Sequence, residues 1–214
     1  MPPRLSSQGE NSDFRKIKMV KTRRSEATAL RKQHFLAEAA RIIGERGYFG
    51  FGLQELAERC GVTKPGLLHH FGSKEQLLIE LLRERDHANA AAVGSLLKPD
   101  DFEDVDVITR EGLFETLRGA MARGAAEPEM LRLYAVLSLE ALNPLHPAHA
   151  FFASRDAAIR DLFKTMLQPH SDNPRSTALQ LLSAMKGLEQ EWLRTPDAFD
   201  LIAEWDALLS KIID

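Results

Sequence analysis

The fold is decided by residues 53–71, LQELAERCGVTKPGLLHHF, which have the pattern of two short helices joined by a tight turn. Leu53 and Leu56 are apolar at helical spacing, and Gly61 lies where a residue in the left-handed conformation ends the first helix. Thr63 then offers a hydroxyl that can cap the next helix. We therefore predict a helix-turn-helix motif.

The second helix of this motif is predicted to begin at about Lys64 and to have a small, donor-rich outer surface. Pro65 falls in its first turn, where a missing N–H leaves no helical bond unmade. Leu67 and Phe71 are four residues apart, so both side chains point to one inner face. The residues left for the outer and flanking faces are Lys64, Gly66, Leu68, His69 and His70. Such a surface fits a groove of DNA.

A capping box follows at residues 73–76, Ser-Lys-Glu-Gln, directly before an apolar run. It predicts a long helix that continues to about residue 97. Lys74 lies in the first turn of this helix, beside free N–H groups and the positive end of the helix dipole. We expect a DNA phosphate to bind there.

Residues 31–82, and above all GVTKPGLLHHFGSKEQLL at 61–78, resemble the DNA-binding domain of the TetR family of one-component repressors. Three positions depart from the family pattern. Leu68 stands where the family usually has a phosphate-binding tyrosine, residues 65–66 are Pro-Gly instead of Gly-Thr, and Gly52 replaces a capping threonine. Each change removes a hydroxyl, so we expect fewer phosphate bonds and more apolar contact, for example with a thymine methyl group.

The predicted DNA-binding set combines the motif with the first turn of the following helix. Within it, His69 is expected to contact base edges, whereas His70 is expected to pack or cap. Lys64 and Lys74 are expected to contact phosphates. The full set is Gly52, Gln54, Thr63, Lys64, Pro65, Gly66, Leu68, His69, His70 and Lys74.

The composition is that of an ordinary globular protein, but its charge is unevenly distributed. The chain has 214 residues, of which 44% are hydrophobic and 28% charged, and a formal net charge of −3. Residues 1–85 hold 16 Lys or Arg and 10 Asp or Glu, a balance of +6, whereas residues 86–214 hold 12 and 21, a balance of −9. A basic N-terminal part before an acidic remainder is typical of a protein that binds DNA with one end.

The sequence indicates a cytoplasmic protein without a membrane partner. No uncharged run approaches the roughly 20 residues of a membrane helix, and the N-terminus has no apolar segment of signal-peptide type. The single cysteine, Cys60, excludes an intrachain disulfide and a cysteine-rich zinc site, so we expect it to act as a small apolar residue.

We predict an all-α fold in three parts. Residues 1–24 are predicted to form a flexible basic arm, with an unstructured solubilising tail as the alternative. A three-helix helix-turn-helix DNA-binding domain is predicted at residues 25–82. A helical effector-binding and dimerisation domain is predicted at residues 83–214. Residues 100–106 are predicted to form an acidic surface loop. Outside the motif, helices are expected at residues 28–46, 74–97, 110–126, 129–142, 147–167, 174–194 and 197–213.

The last two predicted helices have broad apolar faces, and residues 186–197 are similar to the end of many TetR-family proteins, where such helices form the dimer interface. Two helices from each of two chains make a four-helix bundle, so the resemblance implies a homodimer. The alternative is a core pair within one chain. The predicted interface residues are Leu182, Leu188, Trp192, Ile202, Trp205 and Leu209.

The middle helices are expected to enclose a small, mostly apolar effector. The residues predicted to contact it are Phe114, Tyr134, Ser138, Phe152 and Met185, although each also fits an ordinary core. His146 and His149 raise the alternative of a metal site. Because Pro147 lies between them and disfavours a helical register, we predict that no metal is bound.

These features predict a dimeric transcriptional regulator, a repressor, that binds a palindromic operator in double-stranded DNA and is released by its effector. We predict no catalytic residue and no cofactor, since the sequence has no Gly-rich phosphate loop, no Gly-x-Ser-x-Gly elbow and no His-Glu-x-x-His pair. The alternatives are a ligand-independent architectural DNA-binding protein and a helical enzyme that carries a segment resembling a helix-turn-helix.

Overall fold

The computed structural model describes the backbone of residues 8–96, 102–104 and 107–213, and the side chains of residues 27–87 and 108–213. In those residues the chain is built from α-helices joined by short turns, which confirms the predicted all-α fold class. The helices are α1 (Gln8–Gly50), α2 (Leu53–Arg59), α3 (Lys64–Phe71), α4 (Lys74–Leu96), α5 (Arg110–Ala126), α6 (Pro128–Glu140), α7 (His149–Leu167), α8 (Pro174–Arg194) and α9 (Leu201–Ile212).

Helix α1 is divided by Gly47, whose φ of 72° and ψ of 174° are not helical. Glycine alone adopts this backbone region without strain. The regular helix therefore ends before Gly47, as the sequence predicts. At its other end α1 begins at Gln8, so residues 8–24 are helical where a flexible arm was predicted. Residues 1–7 of that predicted arm lie outside the described residues.

A short antiparallel hairpin interrupts the helices between α4 and α5. Strand β1 (Phe102–Asp104) pairs with β2 (Val107–Ile108), with Phe102 opposite Ile108. The sequence predicted an acidic loop over residues 100–106, so this prediction is corrected for β1; residues 100, 101, 105 and 106 lie outside the described residues. The strands are too short to show an alternating pattern in the sequence.

Two hydrophobic cores hold the helices together. The first packs α1 to α4 against α6 and the start of α7, and includes Phe35, Leu67, Leu137 and Phe152. Because Leu137 and Phe152 follow the predicted domain boundary at residue 82, this core crosses that boundary. The second core joins α5, α7, α8 and α9 around Trp205. The helix-turn-helix is thus packed directly on the helices of the second part of the chain.

The predicted dimer interface is wrong at three positions. Leu182 is only 3% exposed, and Trp205 and Leu209 are fully buried within the single chain. Trp205 Nε1 also donates a hydrogen bond to the carbonyl oxygen of Leu117 at 3.1 Å. A side chain that its own chain already buries offers no surface to a second copy, so the alternative of an intrachain core applies to these three. The other predicted interface residues, Leu188, Trp192 and Ile202, remain partly exposed.

Within the described ranges, no helix combines the length and the apolar character needed to cross a membrane.

Candidate nucleic-acid interface and ligand cavity

The turn between α2 and α3 has the geometry of a helix-turn-helix. Gly61 has a φ of 64°, in the left-handed region, and the Val62 N–H donates to the carbonyl oxygen of Ala57 at 2.9 Å. Thr63 Oγ1 accepts a hydrogen bond from the Gly66 N–H at 3.2 Å and so caps α3. The predicted conformation of Gly61 and the predicted cap at Thr63 are both confirmed.

Helix α3 buries one face and exposes the other. Leu67 and Phe71 are 0% and 5% exposed and belong to the first core. The opposite face presents the exposed residues Lys64, Pro65, Gly66 and His69. This exposed set, with the partly exposed Leu68, is called the α3 outer face below.

His70 differs from its neighbour His69, because its ring packs inward. The rings of His70 and Phe35 meet edge to face with centroids 5.4 Å apart, and His70 is only partly exposed. The sequence expected His70 to pack or cap, and here it packs. His69 is therefore the histidine that is free to approach a base edge.

Two arginines of α1 and α2 are paired with a carboxylate of α2. Glu55 on α2 accepts from Arg59 at 2.7 Å and from Arg46 at 3.0 Å. Lys64, in contrast, makes no ion pair with any residue that the structure describes. Lys64 is thus the cation of this face that a phosphate can bind without breaking an existing pair.

The other two predicted contacts on α2 carry fewer donors. Gln54 is exposed, and its amide donates to Glu58 at 2.8 Å. Gly52 occupies the N-cap position of α2 and provides no side-chain cap. The first N–H groups of α2 therefore keep their bonding capacity for an outside acceptor.

Lys74 begins α4 but its ammonium group lies over aromatic rings. Lys74 Nζ is 4.3 Å from the ring centroid of Tyr48 and 5.4 Å from that of Phe51. Desolvation lowers the pKa of Lys74. Ser73 caps the same helix, since its Oγ accepts from the Gln76 N–H at 3.1 Å. Any phosphate bound by Lys74 would share the ammonium group with these rings.

A cavity of about 220 Å³ lies among α4, α5, α6, α7 and α8. Four of the residues predicted to contact an effector line this cavity: Tyr134, Ser138, Phe152 and Met185. Phe114, which was also predicted to contact the effector, does not line this cavity and packs instead against the second core. On α5, the lining residues include Thr116, Leu117 and Ala120.

The cavity has a charged part that the sequence analysis missed. Arg155 and Ile159 both line the cavity and are four residues apart on α7, so they lie on one face of that helix. Counting four residues from an apolar lining residue is therefore the signal that could have identified Arg155. The charged lining residues are Arg85, Arg123, Glu127, Arg155, Lys186 and Glu189.

Three contacts tie the wall of this cavity to α4. Tyr134 Oη donates to the carbonyl oxygen of Leu82 at 3.1 Å, and Arg155 Nε donates to Asp86 Oδ1 at 2.8 Å. Arg85 of α4 pairs with Glu127. Because α4 begins directly after α3, these contacts connect the cavity wall with the helix that follows the helix-turn-helix.

A second connection joins the end of α1 to the turn after α6. Glu140 Oε2 accepts from the Tyr48 N–H at 2.8 Å. The buried His146 ring meets the Tyr48 ring edge to face, with centroids 5.1 Å apart, and its Nε2 has no hydrogen-bond partner among the described residues. Burial lowers the pKa of His146, although Glu140 opposes this effect.

The histidines of this turn are occupied by structural contacts. His146 Nδ1 accepts from the Ala148 N–H at 3.1 Å, and His149 Nδ1 lies 2.7 Å from the carbonyl oxygen of Ala141, to which it donates. Among the described residues, no group of three or more His, Cys, Asp or Glu side chains is placed to hold a metal ion.

The motif matches a known protein family. Residues 35–81 match the family model of bacterial regulatory proteins, tetR family. The chain is similar to the transcriptional repressor AcnR of Corynebacterium glutamicum, at 33% identity over 90 residues, 42% of this chain and 40% of that protein. It is also similar to the transcriptional regulator RutR of Escherichia coli K12, at 40% identity over 67 residues, 30% of this chain and 32% of that protein. The chain thus matches about two fifths or less of the length of these curated relatives.

Solved structures resemble the chain over most of its length. A transcriptional regulator from Rhodococcus sp. Rha1 has a TM-score of 0.70 at 19% identity, over 85% of this chain and 95% of that one. NalD, the secondary repressor of the MexAB-OprM efflux pump in Pseudomonas aeruginosa, has a TM-score of 0.63 at 19% identity, over 87% and 95%. At these identities the likeness shows the fold. The curated relatives are transcriptional regulators and not enzymes, in agreement with the prediction made from the sequence.

Proposed function

The chain belongs to the TetR family of bacterial regulatory proteins, and from this premise we propose that it is a dimeric transcriptional repressor controlled by a small-molecule effector. The observation that carries the proposal is the α3 outer face, which is exposed on a correctly capped helix and has a free cation at its start. The protein would act in the cytoplasm, where its DNA operator lies.

In this proposal α3 enters the major groove and combines one charged with several uncharged contacts. Lys64 binds a phosphate, and His69 meets a base edge. Gly66 has no side chain and so lets the helix backbone approach the DNA closely. A Cβ at this position would meet Thr63 Oγ1 at 3.2 Å. The Thr63 hydroxyl is already engaged as a cap, so few side-chain hydroxyls remain for the phosphates.

A dimer would let two copies of α3 read two half-sites. Recognition helices must be about 34–36 Å apart, or a multiple of this, to reach successive major grooves on one side of the duplex. The partly exposed Leu188, Trp192 and Ile202 on α8 and α9 support dimerisation through these helices. A palindromic operator follows from the two-fold symmetry.

Effector binding in the cavity would then move α4. The contacts of Tyr134 with Leu82 and of Arg155 with Asp86 lie between the cavity and this helix. A ligand that shifts either contact changes the spacing of the two α3 helices, and repression is relieved. A difference of about 1–3 kcal/mol between the two spacings is typical of such coupling.

The test is the salt dependence of DNA binding by a Lys64→Ala variant, measured by fluorescence anisotropy. One duplex carries the operator, identified by selecting bound fragments from random DNA, and the other carries the same bases in shuffled order. Each lost phosphate contact reduces the magnitude of the slope of log K against log salt by about 0.9. A dimer has two copies of Lys64, so the magnitude of its slope should fall by roughly 2. Lys164→Ala is the matched control, since Lys164 is exposed on α7, away from the motif. An unchanged slope for Lys64→Ala would refute the phosphate contact.

His69→Ala tests the base contact on the same two duplexes. The variant should lose affinity for the operator and keep its affinity for the shuffled duplex, because base contacts discriminate by about 1–3 kcal/mol. Equal loss on both duplexes would make His69 a backbone contact instead.

A further inference from the structure

The cations that line the cavity differ in whether they have an internal partner. Arg85 pairs with Glu127 and Arg155 with Asp86, and Lys186 Nζ lies 2.5 Å from Asp156 Oδ2. Arg123 has no hydrogen bond and no ion pair within the part of the chain that the structure describes. Burial, with no opposing carboxylate, lowers the pKa of Arg123.

Such an arrangement is unfavourable unless something completes it. Arg123 is partly exposed, so it bears only part of the cost of removing a cation from water, and an anion that forms a hydrogen-bonded pair with it would offset that part. A guanidinium group binds a carboxylate through two parallel hydrogen bonds. Arg123 therefore has the chemistry of an unfilled anion site on the cavity wall.

The remaining acid of the lining does not fill this site. Glu189 has no ion pair with Arg123, and its Oε1 would lie 3.6 Å from a Cβ placed on Gly124, the residue after Arg123. Burial raises the pKa of Glu189 to about 7, against the charges of Arg155 and Lys186. When Glu189 is protonated, the four lining cations face only the carboxylates of Glu127, Asp86 and Asp156. The described charge cluster then has one positive charge in excess.

The rest of the lining is apolar and limits the size of a ligand. Phe152, Ile159, Phe163 and Met166 face the cavity. A dry cavity of about 150 Å³ holds benzene. By that measure, the volume of about 220 Å³ leaves room for one ring and a short polar group.

We propose that the cavity binds an amphipathic monoanion of about the size of phenylacetate, with its carboxylate on Arg123 and its apolar body against Phe152, Phe163 and Met166. This inference rests on the proposed function, because it names the effector class of the same cavity. It also revises the mostly apolar effector predicted from the sequence.

The test measures ligand binding without DNA, so that it stands apart from the regulatory proposal. Thermal unfolding and calorimetry are recorded with three probes of similar shape: phenylacetate, the neutral 2-phenylacetamide and the cationic phenethylamine. Phenylacetate should bind most tightly and raise the unfolding temperature by mass action. Arg123→Gln should weaken phenylacetate about 10- to 100-fold and leave 2-phenylacetamide unchanged.

Arg110→Gln is the control, because Arg110 is exposed on the same helix α5 and does not line the cavity. It should bind phenylacetate like the unmodified protein. Without ligand, Arg123→Gln should unfold at about the same temperature as the unmodified protein, because Arg123 is partly exposed and has no ion pair among the described residues. An unchanged unfolding temperature would show that weaker binding does not reflect misfolding.

Two outcomes would overturn the inference: stronger binding of the amide or the amine than of phenylacetate, or equal phenylacetate binding by the protein and by Arg123→Gln. Binding of none of the probes would also overturn it, whereas operator binding would still support the DNA-binding proposal. Binding of phenylacetate that leaves operator affinity unchanged would support the inference and contradict only its effector role.

Discussion

Replacement of Gly47 by alanine should disrupt the connection between the DNA-binding helices and the rest of the chain. Gly47 has a positive φ of 72°, and a Cβ at this position would collide with the Glu140 carboxylate. That carboxylate accepts from the Tyr48 N–H at 2.8 Å. Gly47→Ala therefore combines backbone strain with displacement of a charged hydrogen-bond acceptor.

The size of the effect follows from these two parts. A non-glycine residue in this backbone region costs about 1–3 kcal/mol, and a lost hydrogen bond to a charged group costs about 1.5–3 kcal/mol. We expect Gly47→Ala to lower the free energy of unfolding by about 3–5 kcal/mol. In a protein of this length that corresponds to a fall in the unfolding temperature of roughly 10 °C.

Two other glycines separate the parts of this effect. Gly61 also has a positive φ, 64°, but a Cβ there would meet nothing within 4 Å, so Gly61→Ala should cost only the strain of about 1–2 kcal/mol. Gly187 has no positive φ and an equally open surrounding. Gly187→Ala should stabilise its helix by up to about 1 kcal/mol.

The assay is urea unfolding at one protein concentration, combined with a double-mutant cycle on Gly47→Ala and Glu140→Ala. Glu140→Ala removes both the acceptor and the collision, so Gly47→Ala should cost only its strain in that background. The coupling energy should be about 1.5–3 kcal/mol. Additive effects, with a coupling below about 0.5 kcal/mol, would refute the contact between Gly47 and Glu140.

Further variants test the partly exposed acid Glu189, the buried His146 and the α3 cap at Thr63. Burial raises the pKa of Glu189 in the folded state to about 7, above its ordinary 4.5, so the free energy of unfolding should fall as pH rises from 4.5 through 7. At pH 8, Glu189→Gln should raise the free energy of unfolding by up to about 3 kcal/mol. At pH 4 it should have no such effect. The exposed Glu191→Gln should show no such pH dependence. Burial lowers the pKa of His146 below its ordinary 6.5, so the free energy of unfolding should fall as pH drops below 6.5. His146→Asn keeps an acceptor for the Ala148 N–H and should remove that loss. A pH profile of stability that is unchanged by the variant would contradict this. Thr63→Ala should cost about 1 kcal/mol in urea unfolding and Thr63→Ser much less, whereas equal losses would argue against the cap.

Local signals predicted the helices well where a cap or a breaker lies in the sequence. The predicted ranges 110–126 and 174–194 coincide with α5 and α8, which begin after the capping residues Thr109 and Asn173. The last helix was predicted from residue 197 but begins at Leu201, because Asp200 accepts from the N–H groups of Ile202 and Ala203. Several capping residues compete in this turn, and the sequence does not show which one wins.

Tertiary partners were harder to predict than helices. Trp205 lies on an apolar stripe that would suit a second chain, yet it is buried against α5. Periodicity gives the apolar face of a helix but not its partner. The charged part of the cavity was missed for a related reason: Arg85 and Arg155 have ion-pair partners, whereas Arg123 has none among the described residues. Such a difference depends on distances between separate helices.

The central claim is that the α3 outer faces of a dimer recognise a specific DNA sequence, and selection of bound fragments from random double-stranded DNA tests it most directly. The protein and its His69→Ala variant are each carried through several rounds at physiological salt, and the bound fragments are sequenced. We expect the protein to enrich a palindrome with half-sites that fit a dimer, and the variant to lose preference at one symmetric position. Measurable binding without any enriched sequence would contradict the claim and favour a ligand-independent architectural DNA-binding protein.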